Sequence, residues 1–235
     1  MVKPAAVPVP LLQGIALLRE REYEEARLVL EEFSAAHPHS AEGRFYTGLC
    51  LANLAEDEKA VEQLELALAG LLPAAQRNQA LGVLGFLFGR RGQLQESQYY
   101  FEQLLAAEPE SVTARSGLGY ACFALGETDR AIGLFAEGLA RDGKNASLRN
   151  ALGYAYIEGK KDYDRGLAEC EAALALDRAN GAIYDSLAWA WHHKGDAAKA
   201  RGLIARARQL LPRHELIEEH YRAITAAAEK GNEKK

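Results

Sequence analysis

A short phrase built on a glycine recurs along this 235-residue chain, and it constrains the fold more than any other feature. Gly14, Gly48, Gly85, Gly119 and Gly153 each begin a similar stretch, and Ala188 takes the same place in a last copy. The steps between them are 34, 37, 34, 34 and 35 residues. Three residues on stands a large side chain in nearly every copy: Leu17, Leu51, Phe88, Cys122, Tyr156, Trp191. Twelve residues on stands a small one: Ala26, Ala60, Ser97, Ala131, then Gly166 after a one-residue insertion, then Ala200. Sixteen on come Leu30, Leu64, Phe101, Phe135, Cys170 and Ile204, with Cys170 shifted by the insertion. A period of this length marks a stacked array of one supersecondary unit.

Each unit reads as two helices. The first, such as residues 114–125, has apolar residues at i, i+3, i+4 and i+7. It is expected to end at Gly92, Gly126, Gly159 or Gly195, because glycine reaches the left-handed conformation without steric cost. The second, such as residues 128–140, repeats the helical period and closes near Pro38, Pro73, Pro109 or Pro212. Small residues at the phrase glycine and twelve positions later suit two helices that cross closely.

These residues resemble the tetratricopeptide repeat family, a helix-turn-helix unit of 34 residues. The family phrase is visible as Leu84-Gly85, Phe88, Ser97, Phe101, Pro109, again as Leu118-Gly119, Cys122, Ala131, Phe135, and again as Leu152-Gly153, Tyr156, Gly166. Six units are counted: 7–40, 41–77, 78–111, 112–145, 146–180 and 181–214. The resemblance implies an all-α fold, a right-handed α-solenoid of antiparallel helix pairs over 7–214. Residues 215–230 continue the helical pattern and suit a capping helix. Residues 1–9, rich in proline, are expected to be an extended leader, and 231–235 a frayed tail. Arg44, Arg115 and Arg149 depart from the pattern, standing where the family has a large apolar residue early in the first helix. Their stems could pack along apolar neighbours.

Composition narrows the function. Hydrophobic residues are 49% and charged residues 26%, a globular profile. A net charge of −5 with interspersed signs lacks the basic stripe a nucleic-acid binder needs. The longest uncharged apolar run, 81–89, stops at Arg90 and Arg91, too short for a membrane span. Cys50, Cys122 and Cys170 form no Cys-x-x-Cys pair and read as buried free thiols, which favours a cytoplasmic setting. His214 and His220 are six apart and miss the i, i+4 spacing of a helical zinc pair. No catalytic motif, cofactor loop or metal set is visible, so a non-enzymatic role with no cofactor is expected.

In proteins this chain resembles, first helices line a concave groove. The position after the phrase glycine reads Ile15, Leu49, Phe86, Tyr120, Tyr154, Trp189. One turn to either side adds further groove positions. The expected partner surface is Phe45, Leu49, Phe86, Arg90, Tyr120, Phe123, Asn150, Tyr154, Asp185, Trp189 and His192. Rigid aromatics suit the capture of a peptide or helix. The alternative is that they pack on the neighbouring repeat. Glu158 and Asp185 would repel an acidic tail, and Arg19 and Arg90 are the only bases at these positions. The expected function is a protein-binding adaptor or scaffold in a larger assembly. A second reading is a self-associating scaffold, a homo-oligomer stacked through its end repeats, with Leu11, Leu12, Ile15 and Leu18 docking on a neighbour.

Overall fold

The computed structural model describes residues 8–232. Among these residues thirteen α-helices follow one another: α1 (Val9–Glu20), α2 (Tyr23–Ala36), α3 (Ala41–Asn53), α4 (Asp57–Leu68), α5 (Ala74–Arg90), α6 (Leu94–Ala107), α7 (Val112–Ala124), α8 (Thr128–Arg141), α9 (Ala146–Tyr154), α10 (Tyr163–Leu176), α11 (Gly181–His193), α12 (Ala197–Leu210) and α13 (Glu215–Asn232). No strand occurs among the described residues. The fold is the expected all-α array of antiparallel helix pairs. The expected leader falls on residues 1–7, outside the described residues, except that Pro8 is extended and Val9 already begins α1. Residues 231–232 belong to α13, and the rest of the expected tail lies outside the described residues.

Contacts divide the chain into two compact units, Met1–Pro109 and Glu110–Lys235. In unit 1, α1 packs on α2, α3 on α4 and α5 on α6, and the first helices α1, α3 and α5 also touch in series. In unit 2 the pairs are α7–α8, α9–α10 and α11–α12, with α13 packed on α11 and α12.

The phrase glycines sit where the two helices of each pair cross. A Cβ at Gly14, Gly48, Gly85 or Gly153 would lie 2.5 to 2.7 Å from Leu30, Leu64, Phe101 or Cys170. At Gly119 it would come closer still, to Phe135. These are the residues sixteen positions downstream, or seventeen after the insertion, and all are buried. The recurrent spacing is therefore a packing contact, a large side chain seated on a bare backbone.

The one-residue insertion has a physical place. A π-helical turn, Ala155–Gly159, extends α9 and absorbs it. This corrects one expectation. Gly92, Gly126 and Gly195 do take positive φ after their helices, but Gly159 does not; Lys161 turns the chain instead, at φ 55°. Gly159 is needed for another reason: a Cβ there would strike Thr128 of α8. In unit 1, Arg21 and Ala55 make the same left-handed turn without glycine. Each such turn is closed by a backbone bond from the residue after the left-handed one, as Glu56 N–H to Leu51 O at 3.0 Å. Replacing Ala55 by glycine should raise stability by about 0.5–1 kcal/mol by relieving that conformation. A higher urea midpoint with unchanged slope is the expected readout, and a lower one would contradict it.

The three unusual arginines are clamps within each pair. Arg115 Nε donates to Glu137 of α8 at 3.1 Å, and its guanidinium also reaches Ser111 O. Arg149 donates to Glu169 of α10 at 2.8 Å and to Gly143 O. Arg44 donates to Gln63 of α4 and to Pro38 O. Each ties its first helix to the second helix and to the turn before it. Arg115 is the most buried, its side chain 7% exposed. Arg115→Ala should cost about 2 kcal/mol, from lost stem packing and an orphaned carbonyl. Thermal melting would show it, and an unchanged melting temperature would refute the clamp.

All three cysteines are buried, and none is in a disulfide. Burial pushes the Cys50 thiol up to about 11 and the Cys170 thiol up to about 12. No helix among the described residues is long and apolar enough to cross a membrane.

Candidate functional site

Each unit carries a cavity lined mainly by first helices. In unit 1 it has a volume of about 430 Å³ and is bounded by Ile15, Leu18, Arg19, Tyr23, Tyr46, Leu49, Ala52, Asn53, Gln79 and Val83. In unit 2 it has a volume of about 270 Å³. Its walls are Tyr120 and Phe123 of α7, Asn150, Ala151 and Tyr154 of α9, and Ala182, Asp185 and Ser186 of α11. Phe135 of α8 contributes behind Tyr120, edge-on at 5.3 Å between ring centroids. His214, Leu216 and Ile217, at the start of α13, complete it.

The unit 2 cavity gathers five residues of the expected surface: Tyr120, Phe123, Asn150, Tyr154 and Asp185. Tyr120 is 49% exposed. Phe123 and Tyr154 meet edge-on at 5.8 Å. Neither the Tyr120 nor the Tyr154 hydroxyl has a hydrogen-bond partner among the described residues. Asn150 accepts a weak bond from the Cys170 thiol at 3.5 Å, and its amide N–H groups are unengaged. Burial first, and then Glu158, Asp185 and Glu219, raise the Tyr154 hydroxyl above its ordinary value. The result is an apolar pit rimmed by unused hydrogen-bonding groups, the form of a recognition site.

The remaining expected residues are placed elsewhere. Phe45 is a correction: it is 1% exposed and belongs to a core cluster with Ala80 and Leu84 of α5. Its slot lies at the seam between successive first helices. An apolar side chain sinks into that seam, whereas the polar Asn150 stays at its mouth. Leu49 lines the unit 1 cavity. Phe86 is exposed, edge-on to Phe101, and lines neither cavity. Arg90 is ion-paired to Asp57 of α4.

Trp189 and His192 belong to a cluster that docks α13. The Trp189 ring stacks on His220 at 4.1 Å and on His192 at 5.2 Å, and its Nε1 donates to Glu158. His220 of α13 is hydrogen-bonded to Asp185 of α11 at 2.9 and 3.0 Å, with both residues buried. Burial alone would raise the Glu158 carboxyl; hydrogen bonds from Trp189 and Lys161 more than offset it, so its pKa is lowered. Burial lowers His192 and His193 below the usual 6.5. Both signs act together. The stability these groups contribute is present above the unfolded-state values and is lost as pH falls, first near pH 6.5 for the histidines, then near pH 4.5 for Glu158. Melting temperature should fall between pH 7.5 and 5.5, and less so in a His192→Gln/His193→Gln variant. An equal fall in both proteins would exclude these histidines as the cause.

Sequence reasoning missed the α13 wall and the His220–Asp185 pair. A signal existed for the wall: Arg222 stands 34 residues after Ala188, so α13 has the register of another first helix. Where α11 has Ala188 and Trp191 facing α12, α13 has Arg222 and Thr225. At these two positions α13 is polar where α11 is apolar.

A family model described as tetratricopeptide repeat matches residues 11–76 and 84–146, more than half of the chain. No curated sequence relative is found. Among solved structures, a chain of the APC/C hetero-tetramer Cut9–Hcn1 matches with TM-score 0.74 at 18% identity over 92% of this chain, which spans only 42% of that one. PilF of Pseudomonas aeruginosa matches with TM-score 0.71 at 15% identity, covering 93% of this chain and 96% of that one. YrrB, described as a repeat protein of this kind with an unusual peptide-binding site, matches with TM-score 0.58 at 18% identity, covering 81% and 96%. At such identities the likeness is one of fold.

Proposed function

From a chain that belongs to the tetratricopeptide repeat family, we infer a protein-interaction scaffold whose unit 2 cavity holds a peptide or helix of its partner. The observation that carries this reading is the convergence of Tyr120, Phe123, Asn150 and Tyr154 on one apolar pit with unengaged hydroxyl and amide groups. A peptide supplies what such a pit lacks: a large side chain for the floor and backbone groups for the rim. YrrB is described as having a peptide-binding site, which is consistent with this use of the fold. The role needs no cofactor and no chemical step.

The test is capture of a partner from a lysate of the source organism by the full chain, beside a Tyr120→Ala/Tyr154→Ala variant of unchanged helical content. A protein retained by the former and lost by the latter is the expected result. Equal retention would move the site away from this cavity.

Self-association is the second reading, favoured by one observation. Val9, Leu12 and Leu28 in the first helix pair are 75%, 51% and 64% exposed. Exposed apolar residues at the start of an array can stack on another copy. The polar outer positions of α13 speak against such stacking at that end. A concentration series by light scattering distinguishes the two, since this reading requires the mass to rise with concentration and Leu12→Glu to stop the rise.

A further inference from the structure

We propose that the unit 2 cavity selects a segment carrying positive charge beside a large apolar side chain. The inference rests on the reading of that cavity as a peptide site and adds the chemistry of its partner. Its volume of about 270 Å³ is below the roughly 300–1,000 Å³ of small-molecule sites, which suits a single side chain.

The cavity wall holds one carboxylate and no lysine or arginine. Asp185 forms part of the wall. Glu158 lies on the turn that follows Tyr154, and Glu219 precedes His220 on α13. Their fields reach the Tyr154 hydroxyl at the cavity. Two of the three are matched within the fold: Asp185 by His220, and Glu158 by Lys161 at 3.1 Å. Glu219 and Glu215, both exposed on α13, form no ion pair among the described residues. Arg222 stands less than one turn beyond Glu219 and pairs with neither of them among the described residues. His214 also stands on the cavity wall. The unit 1 cavity differs: Arg19 is on its wall and no carboxylate is. An incoming cation at the unit 2 rim would meet carboxylates already held in place, whereas an incoming anion would be repelled.

The test uses two short probes, acetyl-Lys-Phe-Lys-amide and acetyl-Glu-Phe-Glu-amide, titrated into the full chain at pH 8 and low salt and followed by NMR chemical shifts. The basic probe should bind about tenfold more tightly, with the difference shrinking in about 0.5 M salt. Glu219→Gln, at an exposed site, should cut the preference to about threefold. Tyr120→Ala, at a half-exposed site, should weaken both probes and so place them in the cavity. Equal affinity for the two probes, or preference for the acidic one, would overturn the charge selectivity while leaving the cavity a peptide site. Binding unchanged by Tyr120→Ala, or no binding of either probe, would overturn both.

Discussion

Removing the imidazole of His220 is expected to release α13 and open the unit 2 cavity. His220 and Asp185 are each about 4% exposed, so the variant His220→Ala leaves a buried carboxylate without its partner. Breaking a buried pair from one side typically costs about 3–5 kcal/mol. It also removes the ring on which Trp189 stacks. α13 packs on α11 and α12, so the protein can escape the penalty by undocking that helix alone. The expected result is therefore local. Amides of residues 217–226 should lose about two orders of magnitude of hydrogen-exchange protection, while those of α9 and α10 keep theirs. The probe peptides should weaken in parallel, because Leu216 and Ile217 form part of the cavity. Unchanged protection along α13 would show that the pair does not hold the cap.

The second large effect lies at a helix crossing. Gly119→Leu should destabilise unit 2 by about 3 kcal/mol, near the upper end for overpacked cores. Even a Cβ at this position runs into the Phe135 ring, which is 1% exposed. Gly133, in α8, is the control. A Cβ there meets nothing within 4 Å, so Gly133→Ala should stabilise by about 0.5–1 kcal/mol through helix propensity alone. Urea unfolding of the two variants should move the midpoint in opposite directions. A shift in the same direction would mean that propensity, not the crossing contact, governs the phrase glycines.

Much of this fold was legible in the sequence because its decisive contacts recur at fixed spacing. The phrase glycines and the large residue sixteen positions later meet as a bare backbone and a side chain. That pairing needs only helix geometry and a short turn. The left-handed turns at Gly92, Gly126 and Gly195 are local in the same way. The aromatic series one residue after the phrase was equally visible, and Tyr120 and Tyr154 of that series do reach a common cavity.

Other features depended on which neighbour arrives beside a side chain. Phe45 and Asn150 occupy the same slot of the repeat, yet one is core and the other stands at a cavity. Trp189 continues the aromatic series, but α13 covers it through His220, and its indole N–H is engaged by Glu158. His220 itself sits outside every motif, and its partner Asp185 is 35 residues away. Periodicity records what each helix pair must bury against its own turn and its own partner. It is silent on contacts made once, between a terminal helix and the last pair, because a single contact has no period to repeat. The repeat thus determined the helices, their crossings and their turns, and only the packed units decided which aromatics stayed open to a partner.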